Sequence, residues 1–309
     1  MRKAFIEELT KLAKKDKNVW LLTGDLGFSV FDDFQKNFPK QYLNVGVAEQ
    51  NLISIAAGLA MSGKKVFAYS ITTFLTMRPF EQIRNDICYQ NLPVTLIGTG
   101  SAFSYNTAGC THFALEDLSL MRILPNMTVT APGDAYEVKS LVRAAYKHQG
   151  PVYMCITKNG EPIVHNKNTN IIFGKAVKVA DGNDAAILVC GRQLSNTLTA
   201  ANILREQGIK CRVLSFHTLK PLDMAEIKKA AKETKGLITV EENLLAGGFG
   251  SAVAEVLADN KITKPLVRMG IPDEFPKGVG SQDYFLERYN LTANGIAGSV
   301  KKILKLTSR

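Results

Sequence analysis

The sequence predicts an α/β protein of two domains, each a mainly parallel sheet flanked by helices. Three observations lead there. The chain has 309 residues, room for two domains. Each half alternates apolar runs of strand length with longer runs of helical period, and that alternation gives parallel strands joined by right-handed crossovers. A polar, turn-rich stretch, Val164-His-Asn-Lys-Asn-Thr-Asn170, lies between the halves. The domains are expected over 1–165 and 174–309.

Composition narrows the class. A hydrophobic share of 46% suits a globular chain with a real core, and no run reaches membrane-span length. Met1 to Leu12 mixes charge with Phe5, Ile6, Leu9 and Leu12, which is an amphipathic helix rather than a signal peptide, so a cytoplasmic location is expected. None of the five cysteines forms a Cys-X-X-Cys pair, and the four histidines lack metal-ligand spacing, so no metal site is expected within the chain. The net charge of +10 is scattered, without the basic stripe and interleaved aromatics of a nucleic-acid binder. It reads as solvated lysine faces or as attraction to anionic ligands or an acidic partner subunit.

Asn18 to Thr23 is a buried strand that breaks into Gly24-Asp25, the kind of carboxyl end where open α/β sheets place ligands. A plain turn is the other reading. Tyr42, Leu43, Val45 and Val47 suit a short buried strand. Glu49 is the only charge between Lys40 and Lys64, at the start of a helix whose Leu52, Ile53, Ile55, Ala56, Leu59, Ala60 and Met61 leave no polar face. Such a helix is expected to be buried all round, with Gly63 as its stop. A carboxylate there costs energy unless something binds it. Either it pairs with an arginine or it has a chemical task.

Lys65 to Ile71 is the next strand, followed by a loop from Thr72 into a helix that Pro79 suits. Phe74, Met77 and Phe80 recur every three residues, as core or as a ligand-facing stripe. Leu92 to Ile97 is a strand opening into a charge-poor loop, Gly98 to His112. Long loops after strands usually carry function, although a lone loop histidine can be a simple hydrogen-bonded surface group. A helix is expected over Phe113 to Arg122, another from Ala131-Pro-Gly-Asp134 to His148, and a last strand over Gly150 to Thr157, before Lys158.

Several of these segments resemble one family. Gly46-Val-Ala-Glu-Gln-Asn51 is similar to the Gly-(Val/Ile)-X-Glu segment of thiamine-diphosphate enzymes, where the Glu hydrogen-bonds a ring nitrogen of the aminopyrimidine and assists deprotonation of the thiazolium carbon. Thr73 to Phe80 resembles the transketolase segment whose aromatics stack on that ring. Asp25-Leu-Gly-Phe-Ser29 resembles Asp-Leu-Ala-Pro-Ser, which implies Asp25 and Leu26 at the cofactor and Ser29 at a sugar phosphate. Gly109-Cys-Thr-His112 resembles Gly-Pro-Thr-His, whose His contacts substrate. Lys158 stands where transketolases hold phosphate with an Arg, and it offers a point charge in place of a bidentate fork. Lys220-Pro-Leu-Asp223, Glu241 to Gly250 and Gly270 to Phe275 resemble the family's C-terminal domain.

The resemblance implies the pyrimidine-binding and C-terminal domains of a split transketolase, moving a two-carbon ketol unit between sugar phosphates. Implied catalytic residues are Glu49 and His112. Implied cofactor contacts are Asp25, Leu26, Glu49, Phe74, Met77 and Phe80, and implied phosphate contacts are Ser29 and Lys158. No Asn-Asn pair follows Gly24-Asp25, so the diphosphate and its Mg²⁺ or Ca²⁺ are left to an N-terminal diphosphate-binding partner subunit, within an α2β2 assembly. The chain departs from the family at Cys110, in place of Pro, and at Ala108, where an Asp contacts the donor. The alternatives are a 2-oxoacid dehydrogenase β subunit, a deoxyxylulose-phosphate synthase-like enzyme, or a non-catalytic assembly module.

Overall fold

The computed structural model describes residues 1–158 and 160–307. Asn159 and the last two positions of the expected second domain lie outside the described residues. The first half runs α1 (Arg2–Lys15), β1 (Val19–Thr23), α2 (Asp32–Asn37), β2 (Tyr42–Asn44), α3 (Glu49–Met61), β3 (Lys65–Ile71), α4 (Thr72–Met77) and α5 (Phe80–Gln82). A π-helical turn over Ile83–Tyr89 follows. Then come β4 (Val94–Thr99), α6 (Asp117–Arg122), β5 (Thr128–Thr130), α7 (Ala135–Lys147) and β6 (Val152–Ile156). The second half runs β7 (Val177–Ala180), β8 (Ala185–Val189), α8 (Leu194–Arg205), β9 (Cys211–Ser215), β10 (Thr218–Lys220), α9 (Met224–Glu233), β11 (Leu237–Leu244), α10 (Phe249–Asp259), β12 (Leu266–Ile271), α11 (Gln282–Arg288) and α12 (Ala293–Thr307). No helix among the described residues is long and apolar enough to cross a membrane.

Two α/β sheets result. The larger has the order β10-β5-β6-β4-β3-β1-β2, the smaller β12-β11-β8-β9-β7. The pairings are parallel except for β10 against β5 and β7 against β9. The edge strand β10 belongs to the second half of the sequence but completes the first sheet, with Thr218 opposite Thr130 and Lys220 opposite Val129. Lys220 Nζ also donates to the carbonyls of Arg122 and Leu124, at 3.0 and 2.5 Å.

Apolar side chains fill three layers. The outer face of the first sheet packs on α1 and α7 through Phe5, Leu9, Phe67, Tyr69, Val138 and Leu141. A middle layer is shared by both halves and joins Leu52, Leu96 and Tyr153 to Ala186, Phe216 and Phe249. The outer face of the second sheet packs on α8 and α12. Burying one such Leu or Phe is worth about 1.5–3 kcal/mol, so the shared layer ties the halves together.

Four expectations are corrected. The strand at Tyr42 is an exposed edge, not buried: β2 pairs only with β1, and Leu43 is open to solvent. An apolar run cannot show whether a second neighbour will cover it. Helix α3 is buried on one side only, through Leu52, Ile53, Ala56, Ala57 and Ala60, while Gln50, Asn51, Ser54 and Met61 face outward. The loop expected at Thr72 is the helix α4. The helix expected from Phe113 begins at Asp117, because Phe113 and Leu115 are drawn instead into the core of the second half.

Candidate active site

The sequence-expected site residues other than Met77 and Phe80 lie on the segments that follow the carboxyl ends of the first sheet's strands, Ser29 in the stretch between β1 and α2. Asp25 and Leu26 follow β1, Glu49 follows β2, Phe74 follows β3, His112 rides the loop after β4, and Lys158 follows β6. Open parallel sheets present ligand sites along this edge, and here the strand order reverses at β1.

Local chemistry sets each position. After β1, Asp25 adopts φ 53°, a left-handed conformation that Asp tolerates. The side chain of Asn44, at the end of β2, fixes it there. Asn44 Oδ1 accepts from the amides of Asp25 (2.9 Å) and Gly46 (3.0 Å), and its Nδ2 donates to Asp25 Oδ1 (3.0 Å). One amide thus ties the Asp25 turn to the turn that leads into Glu49. Leu26 is half-buried against the outer layer of the first sheet.

Glu49 is the first residue of α3 and only 3% exposed. The helix dipole favours an anion there. Its Oε2 accepts from Arg78 Nη1 at 2.9 Å. The Arg78 guanidinium carbon stands 3.9 Å from the centroid of the Phe74 ring. Phe74 meets the His112 imidazole edge to face at 5.0 Å, and His112 lies 5.9 Å from the Tyr105 ring. Lys158 Nζ sits 4.9 Å over Tyr105, while the Lys158 carbonyl accepts from Arg2 Nε at 2.8 Å. Arg2, Ser29 and Lys158 line one open cleft. Contacts therefore run without a break from Glu49 through Arg78, Phe74, His112, Tyr105 and Lys158 to Arg2.

Asp25 and Leu26 are held at the Asn44 turn outside that series, and Met77 and Phe80 stand apart from it as well. Met77 is exposed, and Phe80 packs against the middle core layer. Sequence reasoning misses two basic residues. Arg78 lies inside the aromatic stripe, where it looks like helix surface; it is the arginine that the ion-pair reading of Glu49 requires. Arg2 is absorbed by the amphipathic pattern of α1, and only the fold brings it beside Lys158.

The planar guanidinium of Arg78 donates to a buried carboxylate while lying over an aromatic face. An aminopyrimidine bound in the manner of thiamine enzymes makes the same two contacts, so Glu49 and Phe74 fit that ring. Around them Phe28, Val47 and Met77 leave apolar surface open to solvent.

The transketolase pyrimidine-binding domain model matches residues 1–161, and the transketolase C-terminal domain model matches residues 174–296. The chain belongs to the transketolase family. Membership implies dependence on thiamine diphosphate. Among relatives, the chain is similar to a putative transketolase C-terminal section of Methanocaldococcus jannaschii, 38% identical over 99% of this chain and 96% of that protein. It is also similar to one subunit of the apulose-4-phosphate transketolase of Phocaeicola vulgatus, 36% identical over 98% of this chain and 97% of that one. A 1-deoxy-D-xylulose-5-phosphate synthase of Geobacter sulfurreducens is 36% identical over 97% of this chain, which spans 47% of its length. The solved structure of a split-gene transketolase, described as an inactive β4 tetramer, superposes with a TM-score of 0.90 at 37% identity, covering 99% of this chain and 98% of that one. The two-sheet α/β architecture is that of transketolase pyrimidine-binding and C-terminal domains. The relatives matched along nearly their whole length are named as a transketolase section or subunit.

Proposed function

We propose that this chain is the C-terminal subunit of a two-chain transketolase that transfers a two-carbon ketol unit between phosphorylated sugars. The observation that carries the reading is the pairing of a buried Glu49 with the Phe74 face on an edge left open by the rest of the chain. An N-terminal subunit closes that edge, covers Phe28, Val47 and Met77, and supplies the groups for the diphosphate and its divalent metal. Two copies of each subunit make the assembly, as an α2β2 heterotetramer.

Thiamine diphosphate held at Glu49 and Phe74 would supply a nucleophilic carbon for two-carbon transfer. The residues of this chain do the rest. Glu49 would hold a proton with the pyrimidine ring nitrogen, Phe74 would pack on that ring, and Asp25 and Leu26 would contact the cofactor beside them. His112 hydrogen-bonds substrate oxygen. Arg2, Ser29 and Lys158 hold the sugar phosphate, with Arg2 restoring the planar fork that Lys158 lacks. A deoxyxylulose-phosphate synthase-like activity is the second reading, favoured by synthases among the relatives; Ala108 departs from the Asp that both kinds of enzyme carry and does not discriminate between them.

The test is Glu49→Gln in the reconstituted two-chain complex. The amide keeps volume but cannot share a proton, so deuterium exchange at the thiazolium carbon slows at least about 100-fold while the complex stays folded. Wild-type exchange in a folded variant makes Glu49 an ordinary ion-pair residue and removes the reading.

A further inference from the structure

The loop that carries His112 leaves β4 in the first domain, yet its base is built into the second. Ala102 and Ala114 close its neck with two reciprocal backbone hydrogen bonds, each 3.0 Å. Immediately inside that bridge, Phe103 and Phe113 face each other 5.2 Å apart, edge to face. Phe285, on α11 of the second domain, contacts both. Its ring is stacked on Phe103 at 4.4 Å and meets Phe113 edge-on at 5.1 Å. All three rings are at most 2% exposed. Ala102, Phe103, Phe113 and Leu115 join the core of the second sheet, whose other buried members all lie beyond residue 184. The backbone agrees with the side chains: Leu244 N, at the end of β11, donates to Leu115 O at 2.8 Å.

The tip is held far more lightly. Thr73 Oγ1 reaches the Thr111 carbonyl at 3.4 Å, and His112 rests edge-on against Phe74. Cys110 and Thr111 are exposed. A loop clamped at its neck and lightly supported at its tip takes its aim from the neck. A loop's freedom falls when its ends are fixed, and a misplacement of about 1 Å at a reacting centre can cost about 100-fold.

We propose that Phe285 is a positioning residue for the His112 loop, so that the second domain sets the donor side of the active site. The consequence for catalysis rests on the role given to His112 above; the clamp itself does not. Ring pairs of this kind fix geometry beyond the area they bury, because their stacked and edge-on arrangements are specific. Leucine at 285 keeps the site apolar but loses both ring contacts.

The experiment compares Phe285→Leu, Phe103→Leu and the control Ile303→Val. Ile303 lies in the same core layer but packs beside Gly236, away from the loop. Hydrogen exchange is followed at the loop amides of Ala108 and His112, which donate to Tyr105 O and Gly109 O, and at Leu52 in α3 as reference. Donor kcat and KM are measured in the two-chain complex with xylulose 5-phosphate as probe. Both leucine variants are expected to speed exchange at Ala108 and His112 at least about tenfold, with Leu52 unchanged. Donor kcat/KM is expected to fall about 10- to 100-fold with cofactor affinity kept. Unchanged loop exchange in either folded leucine variant, or equal loosening in Ile303→Val, overturns the clamp. Because Phe103 and Phe285 lie in different domains, failure of one variant to fold leaves the other to decide. A loosened loop with unaltered donor kinetics supports the clamp and instead removes His112 from substrate binding.

Discussion

Arg78 reaches back to Glu49, its Nη1 2.9 Å from Oε2, while its guanidinium covers the ring of Phe74 at 3.9 Å. The carboxylate is buried, but the arginine side chain is 47% exposed, so it can swing out toward solvent when another planar group takes its place.

That asymmetry predicts the outcome of Arg78→Ala. In the isolated chain the substitution leaves Glu49 buried without its ion pair. It should cost about 1–2 kcal/mol after allowing for solvent on the arginine side, a fall of a few degrees in melting temperature. In the complex saturated with thiamine diphosphate the deficit should vanish, since the cofactor then partners Glu49. Differential scanning calorimetry on both forms measures this. An equal deficit with and without cofactor shows that Arg78 stays on Glu49 throughout.

The isolated chain should bind thiamine diphosphate and magnesium no more tightly than about millimolar, because the pyrimidine half of a site supplies only part of the contacts. Titration calorimetry on the purified chain tests it, and micromolar binding without a partner contradicts the two-chain reading.

Arg2 and Lys158 should act together on phosphate. Loss of one charge-assisted bond costs about 1.5–3 kcal/mol, so Arg2→Ala and Lys158→Ala should each lower kcat/KM for a phosphorylated acceptor about 10- to 100-fold. An unphosphorylated acceptor aldose should be unaffected. Steady-state kinetics on the two acceptors separates the effects, and equal losses on both place the cations elsewhere in the mechanism.

A pH dependence follows from Glu241, which is 1% exposed on β11 and accepts from the amides of Phe249 and Gly250 at 2.7 Å each. Burial pushes its carboxyl up from 4.5 to about 7, against those two hydrogen bonds. The folded chain therefore holds the proton more tightly than the unfolded one. The stabilisation is complete below about 4.5, declines as pH rises, and is gone above about 7. Glu241→Gln cannot titrate. The stability of wild type relative to this variant should fall between pH 4.5 and 7 and then level off, as urea midpoints across that range would record. A difference independent of pH means the carboxyl is ionised throughout.

Much of this was legible in the sequence, for definite reasons. Glu49 stood out because a single charge in an apolar run needs an explanation. The strand ends at Asp25 and Lys158 could be placed because Gly, Asp and Lys interrupt apolar runs abruptly. What stayed hidden depends on partners distant in sequence. Thr218–Lys220 is too short to announce a strand, and only β5, some ninety residues earlier, makes it one. Phe113 and Leu115 have helical spacing with the residues after them, but the second domain offers them a better apolar environment than a helix start would. Arg2 and Arg78 each fit a surface-helix pattern, and nothing local distinguishes an arginine facing solvent from one facing a buried carboxylate.

The strand β10 also dictates where the polypeptide tolerates interruption. A fission point, an inserted reporter or a protease site within 166–173 falls in a segment with no helix or strand, an inviting position by local structure. Yet a fragment ending there leaves the Thr128–Thr130 backbone of β5 bare along the flank that Thr218–Lys220 had covered. Bare strand flanks recruit other strands, so such a fragment would aggregate unless the missing tripeptide were supplied in trans or grafted onto its terminus.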